Sequence, residues 1–228
     1  MSSPYQLAAG RIVQRVERPD AEVVTAFASY YTGIVLDSMR KSGAMSVDLA
    51  PLAPGTKVCG PAVTCFGADL SIRRMAIDLA EPGDVLVVAA GGIRDRACFG
   101  DGTAKRMTMK SMAGAVVDGA VRDAAGLRDL GFPTFCLGTT PRNYHYPMEA
   151  EEGAVNVPVI CGGVLVEPGD LILGDDDGVV VVPRALAPEI RHEVAAKLAA
   201  EREVRGSWTG YEPFDVVDEL KQRGYVFE

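Results

Sequence analysis

Histidine and tryptophan are scarce in this sequence, which has two His residues and one Trp among its 228 residues. A zinc site of the His/Cys type needs histidines or closely spaced cysteine pairs as ligands, and the five cysteines form no CxxC motif. We therefore expect no zinc site of this type. We predict reduced, structural thiols, with Cys59 and Cys65 in the core, because a buried thiol behaves as a small hydrophobic group.

The sequence also lacks a long hydrophobic segment and a basic patch. No apolar run approaches the ~20 residues that span a membrane, and the N-terminal segment MSSPYQLAAGRIVQRVERPD has no hydrophobic signal region. The formal net charge of −8 disfavours nucleic acid as a partner, although it leaves room for a local basic pocket that binds a small anion. We expect a cytoplasmic protein that binds neither membranes nor nucleic acid.

What the sequence does have is an alternation of helical and strand patterns. Residues 71–79 carry apolar side chains at i, i+3, i+4 and i+7, and VLVVAA at 85–90 is an apolar run of strand length. The other patterns predict helices over 20–43, 103–113, 123–131 and 186–204, a short helix in the tail, and strands at 57–58, 62–66, 115–117, 134–138 and within 157–183. We predict one domain over residues 1–228, a layered α/β fold with a mixed central sheet, and a helical tail from about 186 to 228.

Two short segments combine glycine with charge. Gly100-Asp101-Gly102-Thr103 closes a glycine-rich loop over 91–103 and enters the next predicted helix, which Thr103 would cap. Arg122-Asp123 follows the strand at 115–117. Backbone amides at such a turn bind anions. Both segments can lie at the same edge of the sheet, where open α/β sheets place their ligands.

Arg122-Asp123 also has a purely structural interpretation, which the residues leave open. Asp123 can cap the helix that follows, and Arg122 can be a surface cation. Arg128-Asp129 repeats the dipeptide within that helix, where we expect a solvent-exposed face. The second pair therefore serves as an internal comparison for the first.

Five sequence blocks occur in an order typical of one known family. They are GDVLVVAAGG, ACFGDG, GAVVDGAVRD, LGFPTF and GGVLVEPGDLILGDDDGVVVVP, within about residues 30–185. Together they resemble the RraA-like family, which includes 4-hydroxy-4-methyl-2-oxoglutarate/4-carboxy-4-hydroxy-2-oxoadipate aldolases and regulators of ribonuclease activity. The resemblance implies an α-β-β-α sandwich similar to the phosphohistidine swivelling domain, assembled as a homotrimer or homohexamer.

The same resemblance implies roles for the two charged segments. Asp123 would bind a divalent metal, Mg²⁺ or Mn²⁺, and Asp101 would hold metal-bound water. Arg122 would contact the pyruvyl part of the substrate, and the backbone amides of Gly100-Asp101-Gly102-Thr103 would bind its carboxylate. Arg122 and Asp101 are thus the expected catalytic residues. The family's ribonuclease regulators lack an intact Arg-Asp pair, so its presence here favours the enzyme.

These residues suit the cleavage of a 4-hydroxy-2-oxo di- or tricarboxylic acid to pyruvate and a second oxo acid. Cleavage leaves the enolate of pyruvate, whose charge a hard cation and a fixed guanidinium stabilise. Magnesium needs only one or two carboxylates in addition to water. Oxaloacetate gives the same enolate when it loses CO2, so we expect decarboxylation as a secondary activity. A Schiff-base mechanism would need a desolvated lysine, and Lys57, Lys105 and Lys110 have no evident apolar pocket.

Four further residues are tentative candidates. The family brings an acidic residue from the C-terminal helix of a neighbouring subunit toward the site, and Glu201 and Glu203 are the candidates here. Either one can equally be a solvated glutamate, and the tail departs from the aldolase pattern. Arg142 and His145 lie in a polar loop at 141–147 that either contacts a distal carboxylate or is an ordinary surface loop.

The remaining conspicuous residues have structural interpretations. We expect Thr32 and Asp37 to be structural, Asp175-Asp176-Asp177 to be a solvated turn, and Trp208 to be a packing or interface residue. The alternative to an aldolase is a non-catalytic regulator that binds a ribonuclease or another protein.

Overall fold

The computed structural model describes residues 8–67, 70–143 and 153–227. The helices in these ranges are α1 (Ala21–Phe27), α2 (Thr32–Ser38), α3 (Leu70–Leu79), α4 (Asp101–Met109), α5 (Ala124–Asp129), α6 (Ala187–Ser207) and α7 (Val217–Gln222). The strands are β1 (Ala50–Pro51), β2 (Val58–Phe66), β3 (Val85–Phe99), β4 (Gly114–Val121), β5 (Thr134–Cys136), β6 (Ala154–Val155), β7 (Val159–Cys161), β8 (Val164–Val166), β9 (Leu171–Asp175) and β10 (Gly178–Val182).

The main sheet is mixed, with the strand order β1-β5-β4-β3-β2-β9-β10 and with β6 paired to β2. Strands β2 to β5 are parallel neighbours, and a helix joins each to the next, as parallel pairing requires. The outer pairings are antiparallel. Because β3 leads into α4 and β4 into α5, the carboxyl ends of two adjacent strands open onto two helix starts at one edge of the sheet.

The core has the α-β-β-α layering that the family resemblance implies. Along β3, Leu86 and Val88 pack with the α3, α4 and α5 side, while Val85 and Val87 face a central core that they share with β9 and β10. The same alternation in β9 and β10 turns one row of side chains inward and the other toward α1, α2 and α6. The mixed α/β fold is confirmed.

Strand β2 is continuous, so the prediction of two short strands at 57–58 and 62–66 is wrong. Its first half pairs with β9 as far as Pro61, and its second half pairs with β3 from Ala62 onward. Proline has no N–H to donate, and it lies where the strand changes partner. The strand also passes close to the turn before β3, because a Cβ on Gly60 would lie 2.0 Å from the Gly83 carbonyl oxygen.

The helix predicted over 20–43 is two helices, α1 and α2. The chain breaks at residues 28–31 and becomes helical again at Thr32. The amide and hydroxyl of Thr32 donate to the Asp175 carboxylate at 2.8 and 2.7 Å. Thr32 is therefore structural, as predicted.

Asp176 and Asp177 form an exposed turn, as predicted, but Asp175 and Asp176 also make structural contacts. Asp175 holds the start of α2, and the Asp176 carboxylate accepts a hydrogen bond from the Gly55 amide at 2.7 Å. The sequence gives no local sign of these contacts, since their partners lie more than a hundred positions away in the chain.

The glycine-rich segment 91–103 is mostly strand rather than loop. β3 continues to Phe99, and Gly91 and Gly92 adopt φ values of +69° and +78° near a shift in register with β4. Helix α4 then begins at Asp101 with Gly100 as its N-cap. The predicted cap, Thr103, lies inside the first turn, so that expectation is wrong.

All five cysteines are free; four are buried, and Cys59 is half-buried. Burial raises the pKa of the Cys65 thiol to about 12, so this thiol is protonated at neutral pH. Cys65 lies in the core, as predicted, and the thiols stay predicted to be reduced. Among the described residues, no helix has both the length and the apolarity needed to cross a membrane.

Candidate active site

The two charged segments meet in one open pocket of about 310 Å³. Its lining includes every residue of the two segments: Gly100, Asp101, Gly102, Thr103, Arg122 and Asp123. They meet because α4 and α5 start at adjacent strand ends. Arg128, the comparison cation, is exposed on α5 and does not line this pocket.

Arg122 and Asp123 form an ion pair at the exit of β4. The Arg122 amide donates to the Phe99 carbonyl at 2.9 Å, which ties the pair to the end of β3. Arg122 Nε lies 3.3 Å from Asp123 Oδ2, and the two side chains are 43% and 41% exposed. Both are therefore tethered and still accessible to a small molecule.

Asp123 does not act as the helix cap that the structural interpretation required. It occupies the N-cap position of α5 in the left-handed region, with φ 56°, and makes no capping hydrogen bond through its side chain. An aspartate tolerates this backbone conformation better than most residues. Its carboxylate is instead directed to Arg122 and the pocket.

Position 100 needs glycine because there is no room for a side chain, not because of its backbone conformation. Its φ of −162° is extended backbone open to any residue. A Cβ at this position, however, would lie 2.8 Å from Asp123 Oδ2 and 3.2 Å from Arg122 Cγ. The bare backbone of Gly100 therefore lets the Arg122-Asp123 pair lie directly against the start of α4.

A second glycine, Gly126, positions Asp101 in the same way. A Cβ on Gly126 would lie 2.7 Å from Asp101 Oδ2. Since Gly126 is in the first turn of α5, just after Asp123, this close approach brings both carboxylates to the same junction of α4 and α5. Sequence reasoning missed Gly126, although a glycine inside the short helical stretch AAGLRD was an available signal.

The predicted amide cradle is smaller than expected. The Thr103 amide donates to the Gly100 carbonyl at 3.1 Å, so it is used within the helix turn. The amides of Asp101 and Gly102 have no acceptor among the described residues, as the first N–H groups of a helix usually lack one. These two amides are the ones available to an anion.

Three further arginines line the pocket, and sequence reasoning missed them. Arg73 and Arg74 come from α3, and Arg106 comes from α4. Arg73 is only 3% exposed, and its guanidinium donates to the Gly67 carbonyl at 3.2 Å. In the sequence all three are ordinary charged residues of predicted helices, so no local signal marks them.

Of the four further candidates, Arg142, Glu201 and Glu203 are among the described residues, and none of the three lines the pocket. Arg142 lies beside it, with its guanidinium 3.5 Å from Asp95 and its carbonyl accepting from the Ala97 amide. His145 lies outside the described residues. Glu201 accepts a hydrogen bond from the Tyr31 hydroxyl at 2.9 Å and lies 3.2 Å from Arg205. Glu203 is exposed on α6.

The donor set fits a hard, partly hydrated cation. The described residues include no group of three or more His, Cys, Asp or Glu side chains that could hold a metal ion. Asp101 and Asp123 are the carboxylates that line this pocket. One or two carboxylates suffice for magnesium, which keeps several waters, whereas structural zinc needs a closed set of ligands.

Comparisons with known sequences identify the family of the chain. The family model for RraA-like proteins, described as Aldolase/RraA, matches residues 32–181. A protein of Halalkalibacterium halodurans, named as a candidate 4-hydroxy-4-methyl-2-oxoglutarate aldolase, is 35% identical over 193 residues, which are 83% of this chain and 90% of that protein.

Solved structures of similar fold carry a different description. RraAS2 of Streptomyces coelicolor, described as an unusual member of the RNase ES inhibitor RraA family, superposes with a TM-score of 0.77 at 36% identity, covering 84% of this chain and all of that one. The RNA-processing inhibitor RraA of Thermus thermophilus gives a TM-score of 0.61 at 29% identity, covering 68% and 93%.

Proposed function

The chain belongs to the RraA-like family, and from that premise we propose that it is a divalent-metal-dependent pyruvate aldolase. Its substrates would be 4-hydroxy-2-oxo di- and tricarboxylic acids, such as 4-carboxy-4-hydroxy-2-oxoadipate and 4-hydroxy-4-methyl-2-oxoglutarate. The observation that carries the proposal is the shared pocket of Asp101, Arg122 and Asp123. The name of the H. halodurans relative supports the same reaction class.

In this proposal, the chain's own residues hold the 2-oxo acid and the charge that forms on it. The free amides of Asp101 and Gly102 bind the carboxylate next to the 2-oxo group. As the C3–C4 bond breaks, the C4 hydroxyl loses its proton, the bond's electron pair passes to the 2-oxo group, and the resulting enolate takes a proton at C3. Arg122 is a fixed cation for that enolate, held in place by Asp123 and by its backbone bond to Phe99.

Asp123 would hold magnesium or manganese, and Asp101 would hold the water on it. Such an ion, when bound, supplies Lewis-acid stabilisation of the enolate. Asp101, packed against Gly126, would also pass on the hydroxyl proton through water. Loss of CO2 from oxaloacetate leaves the same enolate, so decarboxylation follows as a secondary activity.

The first test is pyruvate release from 4-carboxy-4-hydroxy-2-oxoadipate and from oxaloacetate, with magnesium and with a chelator. We expect metal-dependent turnover of both. Asp123→Ala should reduce it by roughly 100-fold or more, since the loss of even an outer-shell partner of a metal ligand costs about 10–100-fold. Asp129→Ala, in the repeated dipeptide on α5, is the matched control and should keep full activity.

A second candidate function rests on the solved structures. The likeness to S. coelicolor RraAS2, described as an unusual member of the RNase ES inhibitor RraA family, at 36% identity, favours a non-catalytic regulator that binds a ribonuclease. The same measurement of pyruvate release distinguishes the aldolase from the regulator. If folded protein with added metal turns over neither substrate, the aldolase proposal is contradicted and binding to a ribonuclease becomes the next measurement.

A further inference from the structure

One face of α3 forms part of the pocket wall. Leu70, Arg73, Arg74 and Ile77 all line the pocket, at the spacing i, i+3, i+4 and i+7 that defines a single helical face. Two cations therefore lie between two apolar side chains. Such a wall is suited to a ligand with a short carbon chain that ends in an anionic group.

The pocket has an excess of positive charge in a chain whose net charge is −8. Arg73, Arg74, Arg106 and Arg122 line it together with only two carboxylates among the described residues. Arg122 is paired with Asp123 at 3.3 Å. Arg74 and Arg106 are exposed and have no ion-pair partner in the part of the chain that the structure describes. A cleft lined with unneutralised charge of one sign concentrates ligands of the opposite sign.

The proposed reaction does not use these arginines. In that reaction, the amides of Asp101 and Gly102 and the side chain of Arg122 bind the pyruvyl end of the substrate. Arg106 lies one helical turn beyond Gly102 on α4, and Arg73 and Arg74 come from another element, α3. A guanidinium forms two parallel hydrogen bonds with a carboxylate, which makes arginine suited to recognising one.

We propose that Arg74 and Arg106, with Arg73 buried behind them, bind a carboxylate of the substrate that lies beyond the breaking C–C bond. The inference rests on the proposed function and names the residues that would recognise the second carboxylate of its di- and tricarboxylic substrates. It assigns distal recognition to α3 and α4, whereas the sequence offered the loop at 141–147, of which Asn143 lines the pocket. Arg142 does not line the pocket.

The test compares two 2-oxo acids of equal chain length, 2-oxoglutarate and 2-oxopentanoate, which differ in the distal carboxylate. Calorimetry with magnesium present gives the dissociation constant of each for the full-length protein. We expect the wild type to prefer 2-oxoglutarate. Arg74→Gln and Arg106→Gln should each raise the dissociation constant of 2-oxoglutarate by about tenfold, which corresponds to the loss of one charged hydrogen bond. The dissociation constant of 2-oxopentanoate should stay within about twofold of the wild-type value.

Arg128→Gln removes an exposed cation outside the pocket and is the matched control, expected to change neither constant. The inference is overturned if the wild type binds the two acids equally, if it binds neither, or if the variants weaken both acids alike. These readouts need no turnover. If the wild type has no aldolase activity but prefers 2-oxoglutarate, and the two variants lose that preference, the proposed function is rejected and the distal site is kept. Unchanged cleavage of 4-carboxy-4-hydroxy-2-oxoadipate by both variants would reject the distal site alone.

Discussion

At the scale of single residues, the site depends on two glycines as much as on its charged side chains. Gly100 and Gly126 each leave a space that a neighbouring carboxylate occupies, Asp123 in the first case and Asp101 in the second. A methyl group at either position would meet a carboxylate oxygen at less than 3 Å. The carboxylate would have to move to relieve this contact, and a displacement of about 1 Å is enough to impair catalysis.

Gly126→Ala should therefore impair activity without unfolding the protein. The added methyl group would meet side-chain atoms of Asp101, at 2.7 Å for Oδ2 and 3.2 Å for Cβ, and no backbone atom is among its three nearest contacts, so we expect the side chain to be displaced while the backbone stays in place. We expect kcat to fall by about 10–100-fold, as for other losses of positioning around a metal site. The free energy of unfolding should stay within about 1 kcal/mol of the wild type, since alanine favours the helix.

Gly206→Ala is the matched control, because nothing lies within 4 Å of the added methyl group in α6. Activity of each variant is measured as pyruvate release, and stability by urea unfolding. Full activity in the folded Gly126→Ala protein would mean that the present position of the Asp101 carboxylate is not needed.

Some residues of the site could be predicted from the sequence and others could not, because only the first group stands in a recognisable local motif. Asp101, Arg122 and Asp123 each stand in a short motif at a strand or helix boundary, so their pocket could be predicted. Arg73, Arg74 and Arg106 are ordinary helix residues in the sequence. They become pocket residues only because two crossover helices flank the same strand end, which no local pattern specifies.

At the scale of elements, helix α2 depends on a distant residue for its start. Asp175, in the turn between β9 and β10, accepts from both the amide and the hydroxyl of Thr32. Asp175→Ala should lower the free energy of unfolding by about 1–2 kcal/mol, the usual cost of losing an N-cap. Urea unfolding followed by far-UV circular dichroism would measure it.

Asp177→Ala, at an exposed position two residues away, is the comparison for that measurement and should stay within about 0.5 kcal/mol of the wild type. Equal effects of the two substitutions would mean that the loss arises from charge in the turn rather than from the cap on α2.

The elements themselves were predictable where hydrophobic periodicity was strong. α3, the apolar starts of β3 and β4, and the strands after residue 157 lie where expected. The errors occur where backbone pairing overrides composition: Pro61 lies within a strand, and Gly91 and Gly92 lie within another. Both strands are stabilised by neighbours that are distant in the chain.

At the scale of the whole molecule, the C-terminal tail is the least integrated part. Trp208 is 68% exposed, and α7 contributes no buried residue. Of the two roles predicted for Trp208, packing within the chain is therefore wrong, and an interface role stays a prediction. The homotrimer or homohexamer implied by the family also stays a prediction.

Because Trp208 is the only tryptophan, its fluorescence reports directly on that interface. We expect light scattering to give three or six times the chain mass of 24.2 kDa. Emission should be blue-shifted relative to unfolded protein and should move to the red on dilution, as subunits separate. A monomer with red-shifted emission at every concentration would contradict both expectations.

The change of partner along β2 also bears on the order in which the molecule can form. The strand at 58–66 needs β3 on one side and β9, more than a hundred residues later, on the other. During synthesis at about 5–20 residues per second, the first half of β2 emerges well before the strand that will cover it. Until β9 is made, that half is an open sheet edge, which is the kind of surface that pairs with other chains. Closure of this sheet is consequently a late and non-local event, and it makes the nascent chain most vulnerable to aggregation between the synthesis of its second and its ninth strand.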